Sequence, residues 1–106
     1  MKELKLVYYN QWREFHTTAL NYPDNPTRPE ARAIIKFYTR TFAGKITCCS
    51  CRYHYKKLVK QMPVEAKTKT LLFNWTVDIH NEINKKLNKP IISYDIIKYW
   101  ACPIID

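Results

Sequence analysis

The chain has 106 residues, enough for one domain over residues 1–106 with a single core. Aliphatic, aromatic and cysteine residues make up 46% of it, which argues against disorder, and its one glycine, Gly44, rules out a Gly-rich phosphate loop or a Rossmann-type nucleotide site. A net charge of +9 attracts polyanions without specifying one, and aromatics at helical spacing more often serve a core than a base-stacking surface, so nucleic acid is not the expected partner.

The first predicted helix covers about residues 3–20 and ends before Asn21-Tyr22-Pro23-Asp24-Asn25-Pro26, a turn-rich loop. Residues 1–20 hold no long apolar stretch, so neither a signal peptide nor a membrane span is expected, and the cytoplasm is the expected compartment. Thr27-Arg28-Pro29-Glu30 opens a second helix: Thr27 is its N-cap, and Glu30 completes a capping box. Pro29 is tolerated there because first-turn amides lack helical partners. Ile34, Phe37, Tyr38 and Phe42 follow helical spacing, and Gly44 is the expected C-cap.

A third helix runs from about Cys49 to Gln61 and stops before Pro63. It begins inside Cys48-Cys49-Ser50-Cys51, next to the basic segment Arg52-Tyr53-His54-Tyr55-Lys56-Lys57. Two thiols at CxxC spacing can close a disulfide and reopen it, and a helix N-terminus near cations favours the thiolate. The same spacing occurs in zinc sites. Here no second CxxC or Cys/His pair stands at finger spacing, and His54 is the best further ligand, so no metal is expected.

A fourth helix spans about Thr68 to Asn88, with Leu72, Trp75, Ile79, Ile83 and Leu87 on one face. A short fifth helix, from about Ser93 to Ala101, follows the break at Pro90. The fold class is all-α, a four-helix bundle with a short fifth helix.

The fourth helix also carries a polar stripe. His80 and Asn84 are four residues apart, and Asn81, Asn84 and Asn88 follow at three and four. Asn is a mediocre residue inside a helix. The stripe is either a solvated face or a set of donors and acceptors for a flat polar ligand. On the first helix Trp12 and His16 lie four apart; alone they read as a core pair, but beside the Asn stripe and the CxxC they suggest an aromatic cofactor between helices.

Three blocks in order, from about residue 12 to residue 100, resemble the Erv/ALR family of FAD-linked sulfhydryl oxidases. Trp12-Arg13-Glu14-Phe15-His16 with Tyr22-Pro23-Asp24-Asn25-Pro26-Thr27 is similar to the family's W-x-x-L-H and Y-P-x-x-P-T. Cys48-Cys49-Ser50-Cys51 stands at its redox dithiol. Trp75 with His80-Asn81-Glu82-Ile83-Asn84-Lys85-Lys86-Leu87-Asn88-Lys89-Pro90 resembles W-x-x-x-x-H-N-x-V-N-x-x-L-x-K-P, and Trp100 matches a tryptophan of the family's last helix.

The resemblance implies FAD at the mouth of the bundle, with Trp12, His16, Tyr22, Trp75, His80, Asn81, Asn84, Lys86, Lys89 and Trp100 as its cofactor-binding residues. It implies Cys48 and Cys51 as the catalytic dithiol, Cys48 facing substrate and Cys51 the flavin. Electrons would pass from a thiol-containing protein substrate or a thioredoxin-like carrier to FAD and on to molecular oxygen, giving hydrogen peroxide. The resemblance further implies a homodimer. Rival readings are a flavin-binding structural or assembly protein with impaired turnover, and a basic zinc or nucleic-acid-binding module.

The chain also departs from the family pattern. Tyr8-Tyr9-Asn10-Gln11 replaces the usual Gly-Arg before the first tryptophan, the cysteines that tie down the last helix in many members are missing, and Cys49 has no counterpart. This short form looks most like the single-domain oxidases of large DNA viruses, for which host cytoplasm or the virion would be the compartment.

Overall fold

The computed structural model describes residues 2–95 and 97, with side chains from Asn10 onward. Among these residues there is no strand, and no helix is long and apolar enough to cross a membrane. The helices are α1 (Lys2–Leu20), α2 (Arg28–Lys36), α3 (Phe42–Lys45), α4 (Cys49–Gln61) and α5 (Lys69–Lys86), with a π turn, Phe37–Thr41, joining α2 to α3.

Local chemistry explains where α2, α4 and α5 start. The Thr27 hydroxyl accepts from the Glu30 amide at 3.2 Å, while the Glu30 carboxylate accepts from the Thr27 amide at 2.9 Å, the reciprocal capping box. Thr68 caps α5 in the simpler way, its hydroxyl accepting from the Leu71 amide at 3.1 Å. Cys48 caps α4 with sulfur, which accepts from the Cys51 amide at 3.4 Å.

Two helix ends differ from expectation. Gly44 is not a C-cap: it lies inside α3 with no left-handed φ, and the helix runs one residue further before Ile46 turns extended. Ile46 is buried, and its carbonyl accepts two bonds from the Arg52 guanidinium at 2.9 and 2.8 Å, so packing and that staple fix the exit without a glycine. The fourth predicted helix stops at Lys86, not Asn88. Asn88 adopts φ 56°, and the amides of Asn88 and Lys89 return to the carbonyls of Lys85 (3.2 Å) and Asn84 (2.8 Å), a Schellman end with Asn in the left-handed position.

The π turn re-phases the second helical stretch. The Phe42 amide bonds to Phe37 O, five residues back, and the extra residue lets Tyr38, Phe42 and Ala43 all enter the core. The Tyr55 hydroxyl donates to Tyr38 O at 2.6 Å, and the Tyr38 hydroxyl donates to Phe15 O at 2.7 Å, tying α4 to the π turn and the π turn to α1. These bonds and the edge-on and tilted ring contacts of Phe15 with Tyr38, Phe42, Tyr55 and Trp75 make one continuous core.

α1 packs along α5. After α5 the chain doubles back: Asn81 binds Ile92 with both amide atoms, 2.9 Å each way, and the Asn84 amide donates to Pro90 O at 3.3 Å. Tyr94, Asp95 and Ile97 are helical, and the Ile97 amide reaches Ser93 O at 3.2 Å. The rest of the predicted fifth helix, with Trp100, lies outside the described residues, as does Cys102 beyond it.

Candidate active site

The first turn of α4 gathers three thiols, Cys48, Cys49 and Cys51, none in a disulfide. Cys48 occupies the cap itself, so its sulfur faces the amides that α4 leaves unpaired, at the positive end of the helix dipole. The Ser50 hydroxyl lies 3.2 Å from the same sulfur. Hydrogen bonds from the Cys51 thiol first, then from the Ser50 hydroxyl and the Cys51 amide, bring the Cys48 thiol down to about 7. The bond to Cys48 also pushes Cys51 up, helped by slight desolvation. One sulfur of the pair is therefore poised as thiolate and the other as thiol.

Helical spacing separates their directions. Cys51, Tyr55 and Leu58 recur at i, i+4 and i+7, and Tyr55 and Leu58 are buried, so Cys51 lies on the core-facing stripe although its own side chain is exposed. Cys49 lies on the opposite, exposed stripe.

The second cluster lies between α1 and α5. Trp12 stacks on His80 with centroids 3.6 Å apart and planes 3° from parallel, and on His16 at 5.9 Å and 17°. The polar atoms beneath form a chain. The Thr76 hydroxyl donates to Phe73 O at 2.6 Å, so its oxygen accepts from His16 Nδ1 at 3.0 Å. That leaves His16 Nε2 as acceptor for the proton on His80 Nδ1, 2.8 Å away. The assigned tautomers follow from these bonds, and they leave His80 Nε2 an acceptor. Burial first, then the neighbouring His80, lowers His16 to about 3; burial, then Lys89, lowers His80 to about 4. Both rings are neutral near pH 7.

Of the residues singled out from sequence, Trp12, His16 and His80 come together as this one aromatic wall. Lys89 is close enough to act on His80, while the exposed Lys86 sits in the last turn of α5. Tyr22 and Trp75 lie in the core, the Tyr22 hydroxyl donating to Ala66 O (2.7 Å) and the Trp75 indole to Met62 O (2.8 Å), which together pin the loop between α4 and α5. Asn81 and Asn84 spend their amides on the backbone of residues 90–92.

Sequence reasoning missed Thr76 and Ser50. Thr76 had a signal, a hydroxyl four residues before His80 and so on the same side of the helix; Ser50 had only its place inside the CxxC. No group of three His, Cys, Asp or Glu that could hold a metal ion exists among the described residues. A shallow depression of about 400 Å³ between the start of α2 and residues 64–67 is lined by none of the candidate residues. The site thus combines a reactive dithiol with an aromatic plane flanked by lysine, which suits redox exchange beside a planar, anionic group.

The model of the Erv1 / Alr family matches residues 9–101. The chain belongs to that family. As an Erv1 / Alr member it is 36% identical over 108 residues to the FAD-linked sulfhydryl oxidase ERV2 of Saccharomyces cerevisiae, an alignment covering 99% of this chain and 54% of the yeast protein. It is 31% identical over 87 residues to the FAD-linked sulfhydryl oxidase of African swine fever virus, covering 82% of this chain and 72% of the viral one. The crystal structure of the FAD binding domain of Erv1 from Saccharomyces cerevisiae superimposes with a TM-score of 0.82 at 23% identity, over 89% of each chain, and shows that the two share a fold. This member spans about half the length of its yeast ERV2 relative.

Proposed function

We propose that this protein is an FAD-linked thiol oxidase that makes disulfides in a thiol-bearing substrate. The observation that carries the reading is the first turn of α4: its capping sulfur, Cys48, is lowered to about 7, while its other motif sulfur, Cys51, lies on the stripe that leads through Tyr55 to Phe15 and Trp12. Cys48 sits at the tip of the helix and Cys51 on the stripe of α4 that packs into the core.

The residues present fit FAD. The Trp12–His80 stack offers an aromatic plane for a ring system, and Lys89 and Lys86 offer cations for a pyrophosphate. Neutral imidazoles add no charge of their own against that plane. Bound there, FAD would supply the acceptor for the dithiol's electron pair and its route to oxygen, with hydrogen peroxide as product.

The protein's own part is thiol–disulfide exchange. A substrate thiolate attacks Cys48 of the Cys48–Cys51 disulfide, forming a substrate–Cys48 bond and releasing Cys51 as thiolate. The second substrate thiolate attacks the substrate sulfur of that mixed disulfide and expels Cys48. A lower pKa makes Cys48 the better leaving group in this second step. Substrate leaves with a disulfide and the enzyme holds the electron pair as a dithiol. Homodimerisation and action in the cytoplasm belong to the same proposal, to be checked by light scattering and by cell fractionation.

The deciding experiment is an absorbance spectrum of the purified protein. Flavin bands that bleach with dithiothreitol under nitrogen and return in air are expected; colourless protein unable to take up added FAD would sink the reading. Flavin that stays oxidised with dithiols would instead favour a structural flavoprotein.

A further inference from the structure

The site described above uses little of the chain's charge. Lysine and arginine are spread along the sequence, but acid is not. From Ala31 to Val64 there is no Asp or Glu and there are eight Lys or Arg, so this third of the chain carries +8 of the net +9. α4 lies inside that stretch.

On α4 the charge is ordered. Cys49, Tyr53, Lys56 and Lys60 recur at i, i+4, i+7 and i+11, a single helical stripe, and all four are exposed, with Lys57 beside them. Tyr53 is 63% exposed, its ring edge-on to His54 at 5.6 Å. The ion pairs among the described residues, Lys45–Glu14 and Lys85–Glu82, do not include the α4 lysines. Like charges one turn apart repel, and a partner of opposite sign relieves that repulsion. Cys48, the N-cap, stands at the head of the stripe. A ligand lying along it therefore arrives at the reactive sulfur.

We propose that this stripe is the docking face for the dithiol substrate, and that the substrate is an acidic polypeptide segment with an apolar residue against Tyr53. The proposal rests on the thiol-oxidase reading, which makes a protein thiol the partner at Cys48. Nucleic acid fits the same charge but has no thiol to bring to the head of the stripe. An exposed aromatic within a cationic rim is the composition of an interface anchor. The lysines steer encounter and the tyrosine holds register.

The test needs no flavin. In protein whose Cys49, Cys51 and Cys102 are changed to Ser, Cys48 is the one cysteine left. It is mixed with either of two peptides of equal length, each carrying one cysteine as a mixed disulfide with thionitrobenzoate and flanked by Asp and Glu or by Lys. Cys48 thiolate attacks the peptide sulfur, the protein–peptide disulfide forms, and thionitrobenzoate leaves as a coloured thiolate. The acidic peptide should react about 10-fold faster or more at low salt, because complementary charge raises encounter rates by roughly that factor and above. The ratio should collapse in about 1 M salt, where screening acts within about 3 Å.

Lys56→Glu, Lys57→Glu and Lys60→Glu together should reverse the preference. The same change at Arg32, Lys36 and Arg40, on the preceding helical stretch, should preserve it. Unchanged helical circular dichroism and an unchanged rate with uncharged dithiodipyridine certify that both variants are folded with Cys48 reactive. Equal rates for the two peptides, or equal effects of the two charge reversals, overturn the proposal. So does short duplex DNA that binds through the α4 lysines while the peptide rates stay alike. Loss of flavin binding would show separately in the spectrum and leave this result standing.

Discussion

The first turn of α4 and the wall between α1 and α5 each hold groups whose ordinary titration lies near neutral pH, and the fold drives them in opposite senses. At α4 the half-exposed Cys48 sulfur caps a helix and accepts hydrogen bonds, so its ionised form is favoured. At the wall His16 and His80 are buried against each other and Trp12, so their charged forms are disfavoured. Exposure with converging donors creates a charge; burial without a counter-charge removes one. A redox site needs both, a nucleophile on the outside and an electrically quiet plane within.

Removing a sulfur breaks the comparison most severely. Cys51→Ser keeps the outward nucleophile but destroys the dithiol. Oxygen consumption with a dithiol should fall by ~10³-fold or more, the scale seen when one member of a catalytic unit is lost. An oxygen electrode measures it, and turnover within tenfold of the parent would exclude the Cys48–Cys51 pair as the redox centre.

Acid tests the inner half. The folded pKa values of His16 and His80, about 3 and about 4, lie below the value of 6.5 expected when unfolded. Their contribution is thus complete above pH 6.5 and lost as pH falls below it, because the unfolded chain then binds protons that the folded one refuses. Each ring can cost up to roughly 1.4 kcal/mol per pH unit between 6.5 and about 4. Thermal unfolding followed from pH 7 to pH 5 should show a falling midpoint, and the fall should be shallower in His80→Gln. A flat profile in the parent would mean the rings are not held neutral.

Thr76→Val sharpens the same half without changing its shape. The hydroxyl that accepts from His16 Nδ1 disappears, leaving a buried N–H unpaired at a cost of ~1–3 kcal/mol. At about 4–8 °C per kcal/mol for a domain of this size, the melting midpoint should drop measurably, and Thr76→Ser should restore most of it.

Much of this was legible in the sequence, for local reasons. The capping box at Thr27–Glu30, the place of the CxxC at the start of α4 and the i, i+4 pairing of Trp12 with His16 are short-range patterns that tertiary structure had no cause to override. The π turn was illegible because the spacing of Ile34, Phe37, Tyr38 and Phe42 suits an ordinary helix; only the need to bury Tyr38, Phe42 and Ala43 together demands the extra residue. The Asn stripe shows the limit most clearly. Spacing placed Asn81 and Asn84 side by side, but it could not show that the Schellman end at Asn88 would fold residues 90–92 back onto them. The His16–His80 bond joins residues 64 positions apart and has no local signature.

The smallest expected effect belongs to Ser50, and it probes the outer half alone. Its hydroxyl can donate to the Cys48 thiolate but gains much less from a disulfide sulfur, so it should stabilise the reduced pair specifically. In Ser50→Ala the helix cap and the Cys51 amide bond remain, so the Cys48 pKa should rise from about 7 without reaching that of an ordinary thiol. Alkylation of Cys48 near pH 6 should slow by roughly threefold, the scale of one neutral hydrogen bond, and the dithiol should become more reducing in a glutathione titration. Ser50→Thr, which keeps the hydroxyl, should recover both readouts. If alanine leaves the alkylation profile unmoved, the helix end and Cys51 alone poise Cys48, and the contrast with the buried histidines then rests on backbone and burial rather than on any side-chain donor in the motif.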